Sequence, residues 1–312
     1  MNIGFDMMGG DFAPKEAVIG LSKYLQQHTN VAATVFCIGD EKLLKPLFTE
    51  YHISEKVIIL HSSEVIGYNE HPTKALKEKP NSSIAIGFKM LAAGEIDSFA
   101  SAGNTGAMLV GSIFNIKTIA GVLRPTIATI IPKLNGETGL LLDVGLNADC
   151  KPEQLNQFAT LGSIYAQNIL GFKNPKVGLV NIGEEEGKGN ILAQATYPLL
   201  KENTAINFIG NIEGRDFFDD KADVMVCDGF TGNIILKLAE SFYEIATKRG
   251  FANDEFIDRF HYQNYGGTPV LGVAKPVIIG HGISTAIAFK NMLELSVKMI
   301  ETDFCGKLSL SL

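Results

Sequence analysis

Six short stretches place glycine beside Asn, Asp, Thr or a charged residue, after an apolar, β-branched run and before a helix-like segment. They are Ser101 to Gly106, Asp143 to Asp149, Asn181 to Asn190, Gly210 to Asp216, Asp228 to Asn233 and Gly280 to Gly282. In an α/β chain such segments leave the carboxyl ends of sheet strands, where open parallel sheets bind ligands. Asn104, Thr105 and Gly106 would open a helix, so backbone N–H groups and the helix dipole favour an anion there, phosphate being the natural candidate. The plainer reading is an N-cap. Asp228, Thr231, Gly232 and Asn233 repeat this chemistry at a second strand-to-helix junction. Lys188, between Gly187 and Gly189, could pair with a phosphate or a developing oxyanion. It also follows Glu184, Glu185 and Glu186, so a solvated acidic turn with a paired lysine is the alternative. His281 could act as a general acid or a phosphate donor, or satisfy its own turn.

Other polar residues complete the rim. Asp6, Gly9 and Gly10 end the first strand-like run, and Asn147, Asn181, Asn190 and Asn211 sit in the stretches above. Asp143, Asn147 and Asp149 offer oxygens, but their spacing matches no calcium loop and Lys151 competes for them, so no metal and no cofactor is expected. The glycines do not follow G-x-G-x-x-G with a later acid, and no G-x-x-x-x-G-K-[ST] phosphate loop exists, which disfavours dinucleotide and nucleoside-triphosphate chemistry.

The chain has 312 residues, 46% of them hydrophobic, and a formal charge of -7, with pI near 5.4. This suits a globular protein with a large core and argues against general nucleic-acid binding. Cys37, Cys150, Cys227 and Cys305 are scattered without metal-ligand spacing, as expected in a reducing cytoplasm. Cys37 and Cys227 lie in apolar runs, while Cys150 sits between Asp149 and Lys151 at a strand end. The first residues read as a strand, so no signal peptide is expected, and Arg124, Lys133 and Asp143 interrupt the most apolar region.

Strands are predicted at residues 2–6, 33–38, 56–60, 96–100, 127–131, 139–143, 177–180, 206–209, 224–227 and 277–279. Helices are predicted at 14–27, 83–93, 105–117, 152–170, 191–201, 233–248 and 284–300. The alternation signals β-α-β units and a sheet covered on both faces. Residues 250–268 mix Phe251, Phe256, Phe260 and Tyr262 with Asn253, Asp254, Glu255 and Asp258. They read as a hairpin-like excursion toward a partner or as aromatics packed on their own helix.

The nine motifs, in their order along the chain, resemble the PlsX-type phosphate acyltransferases almost end to end. They are Asp6 to Asp11, Ser101 to Ala107, Arg124-Pro125, Asp143 to Pro152, Asn181 to Asn190, Phe208 to Asp216, Cys227 to Asn233, Tyr265 to Gly267 and His281-Gly282. Leu146 stands where that family usually has a small residue, and the segment from Asn233 to Tyr265 is shorter than in many relatives. The resemblance implies one Rossmann-like α/β/α sandwich domain over residues 1–312, with a mostly parallel sheet related to phosphotransacetylases. It implies a helical dimerisation excursion around 233–265 and a homodimer. The implied reaction moves a fatty acyl group from acyl-carrier protein to inorganic phosphate for phospholipid synthesis. The product would pass to a membrane acyl-phosphate:glycerol-3-phosphate acyltransferase, from a cytoplasmic enzyme with peripheral membrane contact. Asn104, Thr105, Thr231 and Asn233 would hold phosphate, with Lys188 balancing charge and His281 assisting. Lys74, Lys77 and Lys79, or Lys248, Arg249 and Arg259, are candidate docking clusters for an acidic carrier protein. The rival readings are a coenzyme A-dependent phosphotransacetylase and a non-catalytic acyl-phosphate- or lipid-binding regulator.

Overall fold

The computed structural model describes residues 1–28, 33–53, 57–251 and 254–311. Within them the chain runs β1 (Asn2–Asp6), α1 (Lys15–Gln27), β2 (Thr34–Gly39), α2 (Glu41–Glu50), β3 (Val57–His61), α3 (Pro72–Glu78), α4 (Ser83–Ala93), β4 (Ser98–Ser101) and α5 (Thr105–Gly111). It continues through β5 (Thr126–Pro132), β6 (Thr138–Leu142), α6 (Pro152–Tyr165), β7 (Lys176–Val180), α7 (Ile191–Glu202), β8 (Asn207–Ile212) and β9 (Val224–Val226). The last elements are α8 (Gly229–Lys248), α9 (Glu255–Asp258), β10 (Thr268–Leu271), β11 (Val277–Ile279), α10 (Ala286–Glu301) and α11 (Phe304–Ser311). The strands form mostly parallel sheet, and with their helices give the expected three-layer α/β architecture. Two predicted positions, Lys56 and Asn253, lie outside the described residues.

The chain divides into two compact units. The first comprises Met1–Ile119 and Tyr262–Lys307. Its strand order is β3-β2-β1-β4-β11-β10, parallel except for β10 against β11. β10 has no clear sequence signal because Pro269 sits in a run of only four residues. The core of this unit is aromatic as well as aliphatic. Phe5 meets Phe289 edge-on at 5.8 Å and Phe88 meets Phe99 at 5.2 Å, all four fully buried. Burial of each such ring contributes about 1.5–3 kcal/mol.

The second unit comprises Ala120–His261 and Leu308–Leu312, with strand order β5-β6-β9-β7-β8. Only the β5–β6 pair is antiparallel. Leu140, Leu141, Leu142, Val224, Met225 and Val226 are buried on adjacent strands, and α6 buries Leu155, Phe158 and Leu161. Near-continuous apolar strands are what a sheet covered on both faces requires.

Two predictions change here. The helix expected from Asn233 begins four residues earlier, at Gly229. Glycine's weak helix propensity hides that start, yet a Cβ at Gly229 would lie 2.7 Å from the Asn147 carbonyl oxygen, so only glycine fits. Residues 254–265 form no hairpin but α9 and a 3₁₀ turn at Tyr262–Tyr265. Phe256 and Phe260 pack edge-on against Phe218 at 6.4 and 5.4 Å, and Phe260 reaches Phe242 of α8 at 6.4 Å. Those rings therefore serve their own unit, while Phe251 stays exposed. Among the described residues no helix is long and apolar enough to cross a membrane.

Candidate functional site

In the first unit, β1 and β4 run parallel and end side by side. Asp6, the last residue of β1, is fully buried. Its Oδ1 accepts Met8 N (2.9 Å) and Gly9 N (3.1 Å), and its Oδ2 accepts the Ser101 hydroxyl (2.6 Å) from the end of β4. Ser101 Oγ in turn accepts Gly103 N at 3.0 Å. One carboxylate thus gathers two strand-end loops. Burial pushes its pKa above the ordinary 3.8, against the pull of these hydrogen bonds.

Asn104 is spent within the protein. Its Oδ1 caps α5 by accepting Ala107 N at 2.9 Å, and its Nδ2 faces the carbonyls of Gly67, Tyr68 and Glu70 at 2.8, 3.2 and 3.3 Å. That leaves its side chain no donor for phosphate, which corrects that part of the sequence reading. Thr105 and Gly106 form the first turn of α5, Thr105 exposed and, among the described residues, without a side-chain hydrogen bond. Gly9 and Gly10 lie in the loop after β1, where Asp11 N donates to Gly282 O at 2.7 Å. His281 stands in the turn after β11, its ring 5.0 Å from Tyr262. Its carbonyl accepts Ser284 N and Oγ, at 2.9 and 2.5 Å.

In the second unit, β6, β9, β7 and β8 run parallel, so the segments after them share one edge. Asp143, also buried, accepts Gly145 N (3.1 Å), Leu146 N (3.0 Å), Asn147 N (2.8 Å) and Asn147 Nδ2 (2.6 Å). Burial raises its pKa from 3.8, and a metal would have to displace these four donors. Asn147 Nδ2 also reaches Pro125 O at 2.9 Å, tying the Arg124-Pro125 turn to the same loop.

Asp228 caps α8: its two oxygens accept Thr231 N and Thr231 Oγ1, each at 2.9 Å. Gly232 and Asn233 follow in the first turns of that helix, and Asn233 is exposed while its Nδ2 donates to Val144 O at 3.1 Å. Asn190 caps α7 through Ala193 N at 2.8 Å. Asn181 and Asn211 donate to the backbone carbonyls of Lys188 (3.1 Å) and Glu185 (2.9 Å). Lys188 itself is 52% exposed, with its ammonium 4.0 Å from the Glu185 carboxylate. Of the predicted side chains, Thr105, Lys188, Asn190 and Asn233 are exposed, and most of the others hold backbone.

Several contributors carry no sequence signal. Gln157 of α6 accepts Leu123 N at 2.7 Å and donates to Gly121 O at 2.8 Å, fixing the turn that leads to Arg124. A glutamine within a helix announces nothing of that. Glu184, Glu213 and Asp216 are close enough to suit a cation, but Lys221 occupies the cluster, donating to Glu184 at 2.6 Å and Asp216 at 2.7 Å. Burial, then the nearby Asp143 charge, pushes the Cys150 thiol up to about 11, so it is not a nucleophile near neutral pH.

Several members of the two basic clusters have acidic or carbonyl neighbours. Lys74 pairs with Glu78 at 3.8 Å and Lys79 with Glu70 at 2.6 Å. Lys248 lies 3.6 Å from Glu244, and Arg259 donates to the carbonyls of Lys133 and Glu137.

Comparison with known proteins agrees with the motif order. The family model described as "Fatty acid synthesis protein" matches residues 1–307. The phosphate acyltransferase of Dictyoglomus turgidum is 42% identical over 329 residues, covering 99% of this chain and 96% of that one. That of Thermoanaerobacterium thermosaccharolyticum is 42% identical over 323 residues, covering 97% and 94%. Among solved structures, a phosphotransacetylase from Streptococcus pyogenes shares the fold, with TM-score 0.67, 16% identity and coverage of 96% and 94%. A branched-chain phosphotransacylase from Enterococcus faecalis V583 has TM-score 0.61 and 14% identity, covering 96% of this chain and 100% of that one. A family-model match over nearly the whole chain, with relatives above 40% identity at nearly full length, leaves one assignment: the chain is an enzyme of the PlsX family of phosphate acyltransferases.

Proposed function

We propose that the enzyme takes its acyl group from acyl-carrier protein and hands it to inorganic phosphate. A phosphate oxygen attacks the thioester carbonyl carbon, the C–S bond breaks, and the carrier's thiol departs as acyl phosphate forms. Phosphate is already anionic near neutral pH, so the protein need chiefly position it and stabilise charge growing on the thioester oxygen. Lys188 carries this reading. It is a half-exposed ammonium on a glycine-flanked turn at the carboxyl edge of the second unit, with only a 4.0 Å contact to a carboxylate.

In this reading Asn233 contacts phosphate and Lys188 of the same unit balances charge, while Thr231 and the Gly232 N–H, expected to bind phosphate, are already spent on Asp228. The first unit offers anion donors of its own at Thr105 and the Gly106 N–H, with His281 assisting there. Asp6, Asn104, Asp143, Asn147, Asn190 and Asp228 hold the loops that present them. The product would serve phospholipid synthesis, passing to a membrane acyltransferase that consumes acyl phosphate. Phe230, Ile234, Leu238, Phe242 and Ile245 are exposed at helical spacing along α8. That stripe supports a homodimer built through α8.

The test is phosphate-dependent release of free carrier-protein thiol by the purified protein, run beside acyl-coenzyme A as donor. Release with the carrier and little turnover of the coenzyme A ester is expected. Preference for coenzyme A would assign a phosphotransacetylase instead, and no turnover with either donor would leave a binding protein.

A further inference from the structure

The Gly210-Asn211 pair sits at a break in the sheet. Register between β7 and β8 passes from Val177–Phe208 to Leu179–Asn211, so two residues of β7 span three of β8. Gly210 takes φ +97°, a left-handed conformation that glycine adopts without a Cβ penalty. In unbroken register Gly210 would stand opposite Leu179. The bulge puts Asn211 there instead, and such bulges re-aim side chains beside active sites. Asn211 is 3% exposed. Its Nδ2 donates to Glu185 O at 2.9 Å, and Asn181, just past the end of β7, donates to Lys188 O at 3.1 Å. Lys188 N closes the turn onto Glu185 O at 3.0 Å.

Two side-chain amides, one in β8 and one just past the end of β7, therefore grip both ends of the turn that carries Lys188. The Lys188–Glu185 ion pair cannot do this work, being 4.0 Å long between side chains 52% and 71% exposed. We infer that Asn211 and Asn181 are positioning residues that set where the Lys188 ammonium stands, the Gly210 bulge being the device that aims Asn211. This inference rests on Lys188 acting in the acyl transfer proposed above.

The experiment pairs hydrogen exchange with a double-mutant cycle on the full chain. In Asn211→Ala, and separately in Asn181→Ala and Asn211→Asp in case the first variant folds poorly, amides of residues 183–189 should exchange about tenfold faster or more, with the rest of the unit unchanged. Each variant should lower kcat by about tenfold to a hundredfold while KM for phosphate moves less than about twofold. In the Lys188→Ala background the asparagine substitutions should cost nothing further, because the group they aim is gone. Unchanged exchange in the turn, or a loss of kcat that multiplies with that of Lys188→Ala, overturns the inference. If the wild type forms no acyl phosphate, the assigned reaction falls, while the exchange pattern still decides whether the amides hold the turn.

Discussion

At the amino ends of β6, β7 and β9, Lys133 is fully buried, with its ammonium 2.6 Å from Asp223 and 3.1 Å from Asp220, and Lys176 lies 3.2 Å from Asp220. At the carboxyl ends of the same strands, Lys188 is 52% exposed, 4.0 Å from its nearest carboxylate. Both lysines belong to one unit and one set of strands. The first cluster neutralises its charge inside the protein, where removing one partner strands the other and costs about 3–5 kcal/mol. The second has a contact of a class worth about 0–1 kcal/mol. Charge at one end is thus committed to folding, and at the other it stays open to solvent.

The largest effect should come from Lys133→Ala, with a loss of about 3–5 kcal/mol of stability, read from urea midpoints. A loss no greater than that of Lys188→Ala would erase the contrast. Lys188→Ala should lower kcat about a hundredfold and change stability by less than about 0.5 kcal/mol. Full turnover in that variant would remove the role given to this lysine.

Cys150 sharpens the comparison, because it lies at the carboxyl edge yet is partly buried. With its thiol pushed up to about 11 from 9.0, native Cys150 should be alkylated roughly 100-fold more slowly near pH 8 than in the denatured chain. Mass spectrometry after brief iodoacetamide treatment reads this, and equal rates would mean an accessible thiolate.

The gentlest test concerns Asp6 in the first unit. Its folded pKa is raised above 3.8, so between those values the native state holds more protons than the unfolded one. Its contribution to stability is then greatest at the acid end, falls as pH rises through that window, and is constant above it. Asp6→Asn should remove part of this slope, the rest belonging to Asp143, which is shifted the same way. Urea midpoints across the acidic range that show an unaltered slope would place the titration elsewhere.

Periodicity carried much of the fold. The helix read at 83–93 is α4, and that read at 152–170 is α6 with the π-helical turn Ala166–Leu170 that follows it. The start of α8 escaped, because Gly229 and Gly232 are poor helix formers retained for close approach to the 143–147 loop. The aromatics near 256–260 were undecidable until Phe218, about forty residues earlier, became their neighbour. Asn104 shows the same limit within the site. Its position before a helix is legible as a cap, but the three carbonyls that consume its amide come from residues 67, 68 and 70.

Local chemistry was therefore open to reading: apolar runs alternating with helical patterns, glycine-rich strand ends, and an order of motifs specific enough to name a family. Which polar groups are consumed and which stay free was not, because that depends on partners far apart along the chain. Asp6 meets Ser101 across 95 positions and Lys133 meets Asp223 across 90. A hydrogen-bonding group has few lone pairs and protons to give, and folding decides who takes them first.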